Sequence, residues 1–299
     1  MTGQHSHESS AIGPLRWAFA LTGTFFVVEL VGGWWTGSLA LLADATHMGV
    51  DLAALGLSLF AAKMSLRPPD AKRTFGYQRV EVLAALGNGL GLMLLTGAIL
   101  REAALRYARP EAIKAPQMLV IAFVGLLCNL VSGTMLYRSS RDNINLRGAF
   151  LHVASDAVGS VGAIAAGLVI LTTGWQQADS VASALICVGI VLTAFWLLRD
   201  SIHILLEGAP SHLNLEEVRA ALAALPGVTE VHDLHLWSLT RGSESMSGHI
   251  VVAAGRDPAR ALAEGAELLR GRFGIAHVTL QIESGGPGDG AECRTDKPC

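Results

Sequence analysis

The sequence predicts a bundle of six membrane-spanning helices followed by a small α/β domain with the element order αββαβ. Three observations carry that prediction. Charged residues make up 16% of the 299-residue chain, against roughly 25% in ordinary soluble domains, and the mean hydropathy is +0.44. The charge is also uneven, with 26 charged residues in the first 205 positions and 21 in the last 94. Finally, six stretches approach the ~20 apolar residues that a span requires, at about 15–36, 38–62, 80–105, 116–137, 148–173 and 179–205. The same arithmetic excludes other classes. A net charge of −3 offers no basic field for nucleic acid, and four cysteines do not make a disulfide framework.

The first span follows Gly13-Pro14 and carries Trp17 near one end and Trp34 and Trp35 at the other, as an interfacial aromatic belt requires. The turn Thr36-Gly37-Ser38 is so short that the first two spans form a helical hairpin. Basic residues then orient the bundle. The 63–79 loop holds Lys63, Arg67, Lys72, Arg73 and Arg79, and the 138–147 loop holds Arg138, Arg141 and Arg147. With Arg16 and Arg199 that side carries ten positive charges. The other side carries four (Arg101, Arg106, Arg109 and Lys114), and the turns at 36–38 and 174–178 carry none. The positive-inside rule places both termini in the cytoplasm. The polar, His-containing residues 1–14 do not resemble the basic start of a cleavable signal peptide. The expectation is a multi-pass protein of the cell (inner) membrane, with an N-terminal tail at 1–14, a transmembrane domain at 15–207, a cytoplasmic domain at 208–284 and a flexible, Gly-rich tail at 285–299.

In the C-terminal part, Asn214 before Leu215-Glu216-Glu217 reads as a capping box, with Glu217 at the third helical position. This helix stops at Pro226-Gly227. Val228–Leu239 and Ser247–Ala254 read as strands around a turn at Arg241-Gly242-Ser243. Asp257-Pro258 starts a second helix, a cap followed by proline at the first position. Val278, Leu280 and Ile282 alternate along a third strand.

The chemistry concentrates in two spans. His47 and Asp51 lie four apart in the second, and His152 and Asp156 four apart in the fifth, so each pair shares one helix face. Ionisable residues inside apolar helices are costly and face a polar interior or each other. One such pair serves as well for polar glue between helices, whereas two copies of the same pattern argue for a tetrahedral site of two imidazoles and two carboxylates, a set that suits Zn²⁺. A ligand His must be neutral and a ligand Asp ionised, so metal and protons compete for the site. If the site faces each side of the membrane in turn, that competition becomes metal–proton exchange. No Gly-Lys pair occurs anywhere in the chain, so no phosphate-binding loop for ATP is present.

Ser38-Leu39-Ala40-Leu41-Leu42-Ala43-Asp44-Ala45-Thr46-His47 through Asp51, together with His152 through Asp156, resembles the cation diffusion facilitator family. Phe75-Gly76-Tyr77-Gln78-Arg79-Val80-Glu81 resembles that family's entry to its third span, and Ile204 through Pro210 its exit from the sixth. The similarity extends over about 15–284. It implies a homodimeric, six-span exporter of divalent metal driven by proton exchange, with a cytoplasmic ferredoxin-like, metallochaperone-like domain. The His-plus-Asp version of the site resembles the zinc-transporting branch. By the same resemblance His232, His249 and Glu283 match the family's cytoplasmic metal site, with solvated surface histidines as the competing reading. A membrane metal sensor and an intramembrane metalloenzyme are the alternatives. The sequence has no His-Glu-x-x-His and no Glu within either tetrad motif to act as general base.

The remaining candidates are weaker. Asp44, one turn before His47, reads as a supporting residue. Glu29, Glu81 and Asp179 fit pathway lining and interhelical contact equally, and His203 reads as structural. The 63–79 loop lacks His and Cys, with Gln78 where relatives often carry His, so no second metal site is expected there. Strand alternation puts His232 and His235 on opposite faces. Trp237 is expected in the small core or at a dimer contact, Cys128 and Cys187 as apolar filler, and His5, His7, Cys293 and Cys299 as tail residues.

Overall fold

The computed structural model describes the backbone of residues 5–139, 144–240 and 242–284, and the side chains of 20–137, 150, 153–240 and 242–283. Six long helices come first: α1 (His5–Thr36), α2 (Leu39–Ser65), α3 (Arg79–Ala108), α4 (Ala115–Ser139), α5 (Ile144–Thr173) and α6 (Gln177–Leu205). They are followed by α7 (Leu215–Ala223), β1 (Val228–Thr240), β2 (Ser243–Val252), α8 (Pro258–Phe273) and β3 (His277–Ser284). The expected order αββαβ is thus observed. α1 starts well before its apolar stretch, and β2 starts at Ser243 because the hairpin turn is tighter than the sequence signals indicated. Among the described residues, five helices are long and apolar enough to cross a membrane: α2, α3, α4, residues Val153–Thr173 of α5, and α6. Residues 285–299 and the side chains of His5 and His7 lie outside the described set.

The chain divides into two compact units, Met1–Ser58 with Gly87–Leu198, and Leu59–Leu86 with Arg199–Cys299. In the first unit Ala40, Leu41, Met118, Ala122, Ala163, Ala166 and Ile170 form a core of small and medium side chains between helices. Small residues let helices approach closely where lipid supplies no hydrophobic drive. At Gly125 of α4, an added Cβ would run into the Phe25 ring of α1. Leu94, Phe123, Leu185 and Trp196 stand exposed, an apolar surface that only lipid or another protein can cover.

Asp179 fixes one end of this bundle. It is fully buried at the start of α6. Its Oδ1 accepts from Ser38 Oγ at 2.6 Å and from the Ala40 amide at 3.2 Å, and its Oδ2 accepts from the Leu39 amide at 2.6 Å. A carboxylate from one helix therefore caps the N-terminus of another, where unsatisfied amides and the helix dipole favour an anion. Of the two roles open to Asp179, the geometry gives the interhelical one.

In the second unit, β2 is the central strand, antiparallel to β1 and parallel to β3. α7 and α8 cover one sheet face. Val218, Leu222, Ala261 and Leu269 of the helices pack on Val231, Leu234, Leu236, Met246, Ile250 and Val252. Asn214 accepts from the Glu216 amide and Asp257 from the Ala259 amide as N-caps, and Gly274 closes α8 in the left-handed conformation. Glu81, another of the three undecided carboxylates, also acts as a tie: its two oxygens accept from Ser65 Oγ (2.8 Å) and Thr240 Oγ1 (3.0 Å). Arg79 donates to Glu207 at 2.9 Å.

Candidate metal centres

The first candidate centre lies in the helical unit. His47 and Asp51 project from one face of α2, with Nε2 of His47 3.5 Å from Asp51 Oδ2. The same Nε2 lies 3.9 Å from Oδ1 of Asp156 on α5. Asp156 is buried, and His47 and Asp51 are partly buried. Three of the four expected residues are therefore brought together across two helices. His152 lies on α5 four positions before Asp156, and its side chain is outside the described set. A cavity of about 670 Å³ opens beside the cluster. Asp44, His47, Ser155 and Asp156 line one part of it, and Trp175, beside the α5–α6 turn, lines another. Much of the remaining lining is Gly, Ala, Val, Leu and Ile. Asp44 thus belongs to the cavity wall with the predicted ligands, whereas Glu29 on α1 is fully buried and does not line it.

The second candidate centre sits on the sheet. One ligand atom from each of His232, His249 and Glu283 lies within 4.8 Å of the other two. The register explains why residues so far apart in sequence meet: His232 of β1 pairs with His249 of β2, which pairs with Gln281 of β3, and Glu283 stands two residues on, on the same face as Gln281. His232 Nε2 is 3.6 Å from Glu283 Oε2, and His249 Nδ1 is 2.8 Å from Glu283 Oε1. That last pair is close but not aligned as a hydrogen bond, which leaves Nδ1 buried without one. Two imidazoles and a carboxylate gathered this closely are a donor set that fits a divalent ion.

The expectation for His235 is corrected by a bulge. β1 carries one extra residue between His232 and His235, which oppose His249 and Ser247. An extra residue restores parity, so both histidines share the outer face. His235 nonetheless stays outside the ligand trio, pairing its Nε2 with Asp233 Oδ1 at 2.9 Å. Trp237 is also on this face, opposite Ser245, and lines an 860 Å³ cavity with Lys72, Tyr77 and His235 rather than entering the helix-covered core. His203 pairs Nε2 with the Ala209 carbonyl at 2.8 Å, a structural contact. In the 63–79 loop, Asp70 accepts from the Lys72 and Arg73 amides and from Tyr77 Oη. The Tyr77 hydroxyl, followed by these amides, holds its carboxyl below the usual range. Sequence reasoning missed Glu230 beside His232 and Gln281, whose Nε2 donates to Glu283 at 3.1 Å. Strand alternation at 281 and 283 was the available signal for Gln281.

This combination of an apolar helical bundle with an internal His/Asp cluster and a small α/β domain with its own His/Glu cluster defines a class: membrane transporters of metal cations. The cation efflux transmembrane domain matches residues 15–206, and the cation efflux protein cytoplasmic domain matches residues 210–285. The chain belongs to the cation diffusion facilitator family. It is 43% identical over 280 residues to the metal cation efflux system protein CzcD of Cupriavidus metallidurans, covering 93% of this chain and 89% of that one. It is 39% identical over 305 residues to the zinc transporter ZitB of Escherichia coli, covering 99% and 97%. It is 36% identical over 290 residues to a cadmium, cobalt and zinc/H(+)-K(+) antiporter of Bacillus subtilis, covering 94% and 92%. The protein is thus an integral membrane, metal cation efflux transporter and not an enzyme.

Proposed function

We propose that this chain is a homodimeric Zn²⁺/H⁺ antiporter of the cell (inner) membrane that moves zinc out of the cytoplasm, with both termini cytoplasmic. The observation that carries the reading is the meeting of His47 and Asp51 with Asp156 at the edge of a cavity. With His152 they make the transport site. The names of the ZitB and antiporter relatives support zinc and proton exchange, and the excess of basic residues in the 63–79 and 138–147 loops supports the orientation.

The exchange follows from acid–base chemistry. Zinc binds ionised Asp51 and Asp156 and neutral His47 and His152, so its arrival expels protons, and protonation from the opposite side expels zinc. Residues 15–207 carry this step. Residues 208–284 sense cytoplasmic metal through His232, His249 and Glu283 and tighten the dimer. Purified protein in liposomes, with a zinc dye and a pH dye inside, tests the reading. Zinc uptake with opposite proton movement, lost in Asp51→Ala while the protein remains folded and dimeric, is the expected result. Tight zinc binding without flux under either gradient overturns it in favour of a membrane metal sensor.

A further inference from the structure

Resting on the reading of His232, His249 and Glu283 as a zinc site, we infer that Asp233 is a positioning residue whose carboxylate holds the His249 ring with Nδ1 toward the ion. An imidazole has two nitrogens, and the one that binds metal is set by what the other one holds. In His249 the nitrogen on the ligand side is Nδ1, 2.8 Å from Glu283 Oε1. The opposite nitrogen, Nε2, faces Asp233 Oδ2 at 3.8 Å. His232 repeats the arrangement with its two nitrogens exchanged: Nε2 faces Glu283 and Nδ1 lies 3.4 Å from Glu230 Oε1. Each imidazole is therefore placed between Glu283 and an outer carboxylate.

The backbone shows how Asp233 comes to stand there. It occupies the β1 bulge with φ of 49°, a region that L-residues avoid and that Asp tolerates better than most. The bulge lets Val231 and Leu234 both enter the core while Asp233 turns to the outer face. There one of its oxygens stands 3.8 Å from His249 Nε2 and the other makes a 2.9 Å hydrogen bond with His235. Glycine would hold this φ with less strain but would bring no carboxylate. That difference separates a backbone role from a metal role. Asp233 is 31% exposed and Glu230 65%, so Asp233 carries the larger effect.

The test uses the full-length protein in detergent, in an Asp156→Ala background that removes the transport site, with zinc titrated against a competing chelator dye. Asp233→Gly is expected to keep or raise the unfolding temperature without metal and to weaken zinc binding roughly 10–100-fold, the range for loss of an outer partner. Asp233→Asn, which keeps an acceptor oxygen, should fall between, and Glu230→Gln should lose less. In ¹⁵N-histidine spectra of the zinc-bound protein, His249 should carry its proton on Nε2, and Asp233→Gly should blur that assignment. Unchanged zinc affinity in Asp233→Gly overturns the inference. So does a joint loss of stability and affinity that Asp233→Asn restores together, since that marks a structural role. Unchanged affinity in His249→Ala overturns instead the zinc-site reading on which the inference rests.

Discussion

The two clusters use the same donor chemistry on opposite scaffolds. In the helical unit the described donors are His47 and Asp51, four residues apart on α2, and Asp156 of α5, so the cluster exists wherever these two helices meet. In the α/β domain the donors come singly from β1, β2 and β3, and the site exists only when the sheet has its full register. The helical site can be remade in a different arrangement by moving one helix against another, as a transport cycle demands. The sheet site cannot be remade without breaking the sheet, which suits sensing and clamping. Removing a donor should therefore abolish function in one region and only modulate it in the other.

The largest effect belongs to the helical site. Asp156→Ala should reduce zinc flux in liposomes to background, a loss beyond the roughly 10–100-fold that an outer partner is worth, with the elution volume of the dimer unchanged. Flux near the parent level would break the comparison at once, because Asp156 is the buried member that joins α5 to the α2 pair. Next comes His249→Ala, which should remove one bound zinc per chain and lower flux several-fold without abolishing it. Complete loss of flux there would show that the sheet site belongs to the transport path.

A third substitution separates ligand chemistry from architecture. Asp179→Ala leaves the Ser38 hydroxyl and the Leu39 and Ala40 amides without their buried acceptor. Each buried group left unsatisfied costs roughly 1–3 kcal/mol. Thermal unfolding in detergent should shift down by several degrees while zinc affinity at the transport site is kept. A loss of affinity without loss of stability would move Asp179 from the frame of the bundle to its pathway.

The contrast between scaffolds also decides what the sequence made legible. The i, i+4 spacing of His47/Asp51 and His152/Asp156 is legible because helical spacing is local, and of these four the structure describes His47, Asp51 and Asp156 as neighbours. The six long helices followed from apolar length, and the two short ones from Asn214 and Asp257 caps that the structure retains. Asp179 and Glu81 could not be assigned, because a capping contact such as Ser38 to Asp179 spans 141 positions and leaves no trace in spacing. The sheet was harder still. The extra residue in β1 is invisible to strict alternation, so His235 was placed on the wrong face, and the neighbours Glu230 and Asp233 of the two imidazoles went unremarked as partners.

The smallest predicted effect isolates a surface charge of the α/β domain that touches neither cluster. Glu264 on α8 accepts from Arg260 Nε at 2.9 Å, one turn earlier, and pairs with Arg256 through its other oxygen. The Arg260 hydrogen bond, with Arg256 in support, holds the carboxyl below its usual range. A carboxylate with a folded-state value below its unfolded one adds stability that is fully present above the ordinary value of about 4.3 and fades as pH falls through the folded value. Glu264→Gln should therefore unfold at a slightly lower temperature than the parent at neutral pH, and the two curves should converge as the pH is taken down through the folded-state value. Added salt should shrink the gap, because an exposed pair is screened. Zinc affinity at His232, His249 and Glu283 should not change. A gap that persists in acid would mean that Glu264 acts through packing of its stem rather than through its charge, and a change in zinc affinity would tie α8 to the sheet site.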